Sequence, residues 1–73
     1  MDELHRTWSL NIRVARKRAN LTQRALAEAI GVTQAAVARW ETEVSIPTDV
    51  HKIAIAAALG QDVRLMFPLV RGI

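Results

Sequence analysis

Between Thr22 and Trp40 the chain has room for two helices and almost nothing between them, and that restriction decides most of what it can fold into. The Thr22 hydroxyl can cap the free amides of a helix running from Gln23 to Ala29. That helix turns Leu26, Ala27 and Ile30 toward one side. Gly31 then supplies the positive backbone angle that a sharp turn requires, and Val32 tucks beneath the turn. Thr33 is the next cap, and a second helix from Gln34 to about Thr42 places Val37 and Trp40 one turn apart. Two helices so short and so closely joined must cross at short range. Ala27 is small where they meet, while Leu26, Ile30, Val37 and Trp40 fill the shared interior. The opposite side of the second helix keeps only small or polar residues: Gln34, Ala35, Ala38 and Arg39.

The flanking segments read as more helices. Trp8, Ile12, Ala15 and Ala19 recur at helical spacing, which predicts a helix over about Thr7 to Ala19, stopped by Asn20 and closed by Leu21 folding back. Glu43 to Pro47 reads as a loop, because Pro47 cannot donate to a helix and pushes Ile46 toward extended geometry. A fourth helix, capped by Thr48 or Asp49, runs through Ile53, Ile55 and Ala56 to Leu59 before Gly60 closes it. Asp62 caps a short fifth segment, Val63 to Phe67, which Pro68 halts. The expected architecture is all-α, with one domain over residues 1–73, a core spanning about 7–67, and an apolar tail at 68–73. A chain of 73 residues is too short for a second core, and without cysteine nothing but helix packing can stabilise the first. Alanine dominates the apolar fraction, and the aromatics are only Trp8, Trp40 and Phe67, a composition suited to close helices rather than a sheet.

Several classes of function are disfavoured. The apolar stretch Ile53 to Gly60 is far below the ~20 residues of a membrane span. The N-terminus begins Met-Asp-Glu, without the basic-then-apolar order of a secretory signal, so the expected location is the cytoplasm. His5 and His51, read as surface residues, are distant in sequence and have no cysteine beside them; no metal site and no cofactor are expected. No nucleophile, base and orienting group can be assembled, so an enzyme is not expected. The net charge of +3 favours an anionic partner without identifying it.

The ordered set Ile12-Arg13-Val14-Ala15-Arg16, Leu21-Thr22-Gln23, Leu26-Ala27, Gly31-Val32-Thr33-Gln34, Trp40-Glu41, Pro47, and Ala56 with Leu59-Gly60 spans nearly the whole chain. In these residues the sequence resembles the lambdoid-repressor and Cro-like helix-turn-helix regulators, often called the XRE family. The resemblance implies a five-helix, lambda-repressor-like DNA-binding domain that binds an operator as a homodimer, with the third helix in the major groove. It implies that Gln23 contacts a phosphate and braces Gln34. It also pairs Arg16 with Glu41, the guanidinium gripping the carboxylate bidentately while a remaining donor faces a phosphate.

The chemistry of the residues agrees. An exposed amide near the start of a recognition helix, here Gln34, suits adenine. Arg39 suits a guanine edge or a phosphate, and Ala35, Ala36 or Ala38 suit thymine methyl groups. The expected base contacts are therefore Gln34, Ala35, Ala38 and Arg39, with Thr22, Gln23, Arg16, Thr33 and Thr42 along phosphates. One or two of Arg13, Lys17 and Arg18 are expected to add phosphate-facing charge.

Three departures qualify the resemblance. The loop Glu43-Val44-Ser45-Ile46 lacks the glycine and basic residues common there. Asp49 and Lys52 stand where the family often has apolar residues, which predicts a rotated fourth helix using Val50 and Ile53. The chain also stops soon after the fifth helix, so no inducer-sensing domain and no small-molecule ligand are expected. The weakly basic loop and the apolar tail, Leu69, Val70 and Ile73, leave open a protein-interaction module such as an antitoxin or anti-repressor. The tail itself is open to three readings: disorder, a cap on the core, or pairing across a dimer.

Overall fold

Each helix after the first begins where a side-chain oxygen meets the free amides of a first turn. In the computed structural model, which describes residues 3–69, the elements are α1 (Glu3–Arg18), α2 (Gln23–Ile30), α3 (Gln34–Glu41), α4 (Asp49–Ala58) and α5 (Val63–Met66). No strand occurs among the described residues. Thr22 Oγ1 accepts from Ala25 N at 2.9 Å, Thr33 Oγ1 from Ala36 N at 3.1 Å, and Thr48 Oγ1 from His51 N at 3.3 Å. The Asp62 carboxylate accepts from Arg64 N at 2.8 Å. Thr48, not Asp49, is thus the cap of α4.

One turn geometry closes α1 to α4. Asn20, Gly31, Glu43 and Gly60 have φ of 58°, 75°, 66° and 66°. The residue after each donates back to the last turn: Leu21 N to Arg16 O, Val32 N to Ala27 O, Val44 N to Arg39 O and Gln61 N to Ala56 O, at 2.9–3.1 Å. These bonds satisfy carbonyls that the helix leaves unpaired. A Cβ at Gly31 would meet no atom within 4 Å, so glycine is required there by the backbone angle and not by space.

The core is Trp8, Ile12, Leu26, Ala27, Val37, Trp40, Ile55, Ala56, Leu59, Met66 and Phe67, with Leu4, Ala15, Leu21, Ile30, Val32, Ala36 and Val63 packed against it. Every helix contributes, and α2 packs on both α3 and α4. α1 starts four residues earlier than its periodicity suggested, because Leu4 extends the stripe of Trp8, Ile12 and Ala15 by another turn. Ala19, expected on that stripe, is exposed beyond the helix end. Two long-range bonds fasten α1 to the end of the chain: Trp8 Nε1 donates to Pro68 O at 2.7 Å and Asn11 Nδ2 to Met66 O at 2.8 Å. The Phe67 ring meets Trp8 edge-on at 6.1 Å.

α4 does not rotate to bury Val50 and Ile53. They are 74% and 60% exposed, while Ile55, Ala56 and Leu59 are buried. Lys52, Ile55, Ala56 and Leu59 follow the i, i+3, i+4, i+7 stripe, and turning Val50 and Ile53 inward would have taken Ile55, Ala56 and Leu59 out of the core. Lys52 is accommodated by chemistry: its stem is covered, its Nζ lies 3.8 Å from the Trp8 ring centroid, and Asp49 Oδ1 is 3.5 Å away. The histidines are likewise more enclosed than expected. His5 and His51 are half-buried, their rings 5.0 and 5.3 Å from those of Trp8 and Trp40. Leu69 is exposed; Val70 and Ile73 of the tail lie outside the described residues.

Candidate nucleic-acid interface

The tight turn at Gly31 lays α3 across α2, buries Val37 and Trp40, and leaves the other side of α3 open. Thr33, Gln34, Ala35, Arg39 and Thr42 are exposed on it and Ala38 is half-buried. Gln34 and Arg39 make no side-chain hydrogen bond or ion pair among the described residues, so their donors remain available. Between them the methyl groups of Ala35 and Ala38 form a low surface that the backbone of another molecule can approach. Ala36 is not part of it, because it packs against the core.

Behind this face lies a buried polar network. Arg16 Nε donates to Glu41 Oε2 at 2.6 Å and Arg16 Nη2 to Glu41 Oε1 at 2.9 Å, a bidentate pair whose side chains are 10% and 2% exposed. Arg16 Nη1 donates to Leu21 O at 2.8 Å, and Gln23 Nε2 to Glu41 Oε1 at 3.2 Å. Four pieces of chain meet here: α1, the turn after it, the first residue of α2, and the last residue of α3. Burial alone would pull the guanidinium toward its neutral form, but the Glu41 hydrogen bonds outweigh that and raise the Arg16 pKa above its already high ordinary value. The guanidinium therefore keeps its charge despite its burial.

The network corrects one expectation. Gln23 is held by Glu41 and not by Gln34. It also sorts the other expected phosphate contacts by their remaining donors. Thr22 and Thr33 spend only lone pairs on their caps, so each hydroxyl proton is left to give. Thr42 has already given its proton to Ala38 O at 2.7 Å and faces outward with acceptors alone, a poor match for a phosphate oxygen. Arg16 has spent three of the five N–H groups that a guanidinium carries.

The charges of α1 separate by flank. Arg18 lines a shallow groove with Gln61 and Leu65, on the α5 side of the molecule. Arg13 and Lys17 lie on the flank shared with Arg6, whose Nε is 3.6 Å from Glu43 Oε1 just past α3. Sequence reasoning missed this contact, since nothing local relates Arg6 to Glu43. Its effect is to offset the acidic residue in a loop that lacks positive charge of its own.

Comparison with known proteins agrees with this geometry. A family model described as helix-turn-helix matches residues 12–65. The fold is similar to that of the P22 c2 repressor solved with a synthetic operator, at 26% identity and TM-score 0.79, covering 84% of this chain and 92% of that one. It is also similar to the clp gene regulator ClgR from C. glutamicum, at 23% identity and TM-score 0.81, covering 90% of this chain and 86% of that one. No curated protein sequence matches the chain. Among the described residues no helix is long and apolar enough to cross a membrane. The match over residues 12–65, on a fold that carries an open α3 braced from behind by Arg16, Glu41 and Gln23, identifies the chain as a member of the helix-turn-helix family of DNA-binding regulators.

Proposed function

We propose that the 73 residues act as one cytoplasmic DNA-binding unit, a repressor of Cro-like size that binds a pseudo-palindromic operator as a homodimer. The observation that carries this reading is the open face of α3: two uncommitted long polar side chains, Gln34 and Arg39, separated by the methyl groups of Ala35 and Ala38. A major groove admits such a helix, and that spacing of donors and methyl groups matches base edges that differ from pair to pair. Gln34 reads adenine, Arg39 takes a guanine edge or a phosphate, and Ala35 and Ala38 meet thymine methyl groups. Thr22, Gln23 and Thr33 hold phosphates beside the amides of α2 and α3, and Arg16 contributes its remaining N–H groups. The P22 c2 repressor, similar over most of both chains, was solved on an operator, which supports DNA as the partner.

Selection of binding sites from random duplexes with the purified protein tests the reading. Enrichment of a palindrome whose half-sites are centred one helical turn apart, about 34–36 Å, is expected. Recovery of no motif overturns it. In that case a stoichiometric protein partner becomes the better reading, drawing on the exposed Val44, Ile46, Val50 and Ile53.

A further inference from the structure

Among the described residues, Arg18 is the cation that the DNA reading leaves without work. Arg6, Arg16, Arg24, Lys52 and Arg64 each have a carboxylate within 3.6 Å, and Arg13, Lys17 and Arg39 lie toward α3. Arg18, exposed on the α5 side, makes no hydrogen bond or ion pair among the described residues. It ends a ridge along α1: Leu10, Val14 and Arg18 are spaced i, i+4, i+8, and the two apolar members are 49% and 37% exposed. Leu65, 79% exposed on α5, stands across a shallow groove from this ridge, with Ala15 and Met66 between them. Gln61 borders the same groove with its side-chain amide unspent. Among the described residues no carboxylate lines the groove, and none of its walls comes from α2, α3 or α4.

We infer that this groove docks an acidic amphipathic helix of another protein, its apolar side chains on Leu10, Val14 and Leu65 and a carboxylate on Arg18. Size, charge and spacing select that occupant. The groove holds about 160 Å³, well under the ~300–1,000 Å³ of small-molecule sites, so it takes side chains and not a free ligand. A two-fold contact with a second copy would set both Arg18 charges in one patch with no carboxylate to offset them. Duplex DNA is held by several cations along its phosphates, and it has no use for an apolar ridge beside a single one. A helix with apolar residues four apart repeats every ~6 Å, the spacing of Leu10 and Val14 on α1, and a carboxylate one turn further on meets Arg18. The Gln61 amide can donate to the same carboxylate. Because α3 contributes nothing to the groove, such a partner and an operator can be held together.

Selection from a display library of alanine-based helical peptides, randomised along one face and panned on the full chain, tests the groove. Peptides with two apolar residues four apart and a carboxylate one turn beyond are expected to be enriched. The best of them is then titrated against the wild type, L10S/L65S and Arg18→Glu, each checked for folding by its melting curve. L10S/L65S and Arg18→Glu are each expected to raise the dissociation constant about tenfold or more. The same peptide with lysine in place of its carboxylate residue should bind Arg18→Glu and not the wild type, a rescue that a misfolded chain cannot give. No enrichment, enrichment of basic peptides, or binding indifferent to both variants overturns the proposal. Self-association of the free chain that L10S/L65S abolishes also overturns it and assigns the groove to a second copy. Duplex DNA, a selected operator or an unrelated sequence, is expected to leave the peptide bound. Displacement by it gives Arg18 to DNA and overturns the proposal. The titration on the free chain stands whether or not the chain selects a DNA sequence, so failure of the operator reading is separate.

Discussion

At the scale of single residues, position relative to the Arg16–Glu41 pair separates building from reading. Gln34 supports nothing behind it, so Gln34→Ala is expected to leave the melting temperature nearly unchanged. It should cost about 1–3 kcal/mol on the selected operator and relax discrimination at one base pair, measured by competition among single-base variants of that operator. Glu41 is the reverse case. Glu41→Ala strands a buried guanidinium and releases Gln23, and it is expected to lose about 3–5 kcal/mol of stability in urea unfolding. Whatever affinity the folded fraction retains reports how far Gln23 depends on being held. That Gln34 faces outward was legible from its place one step after a capping threonine. The hold of Glu41 on Gln23 was not, because it joins residues 18 apart across a helix crossing.

At the scale of helices, caps and turns set the boundaries, and two of them invite measurement. Glu43 holds the left-handed conformation that closes α3, where a side chain costs about 1–2 kcal/mol that glycine avoids. Glycine gives part of this back through unfolded-chain entropy, so Glu43→Gly is expected to stabilise the chain by about 0.5–1 kcal/mol, seen as a higher melting temperature. A null or opposite shift would mean that the ion pair with Arg6 outweighs the strain. Asp62, capping α5, has its carboxyl held below the ordinary 3.8, first by the Arg64 side chain and then by the Arg64 backbone amide. A depressed folded value means stability that is complete above the ordinary value and is lost as pH falls from there through the folded one. Melting temperatures of the parent and Asp62→Asn are therefore expected to differ above pH 4 and to converge in acid. Caps at Thr22, Thr33 and Asp62 were readable because capping is local chemistry. The start of α1 at Glu3 and the exposure of Val50 and Ile53 were not, since each depends on what the helix meets.

At the scale of the whole molecule, the excess cation count resolves into charges with different work. Arg16 is spent on Glu41, Arg6 on Glu43, Lys52 on Asp49 and the Trp8 ring, and Arg64 on Asp62. Arg13 and Lys17 flank the α3 side, while Arg18 faces the α5 side. The logarithm of operator affinity is accordingly expected to fall linearly with the logarithm of salt concentration. Removing Arg13 or Lys17 should reduce that slope by about one unit each, and removing Arg18 should leave it unchanged. A slope that responds to Arg18 as strongly as to Lys17 would place DNA on the wrong side of the molecule.

The sequence alone determined the helix pair at the centre: threonine caps at Thr22 and Thr33, a left-handed turn at Gly31, and apolar spacing over Leu26, Ala27, Val37 and Trp40. These are signals that operate within a few residues and follow from helix geometry alone. The tertiary structure decided the rest: which face of α4 turns inward, with which partner Gln23 spends its amide, and how the acidic loop is offset. Those outcomes depend on distances between residues far apart in the chain, and only packing the helices together sets such distances.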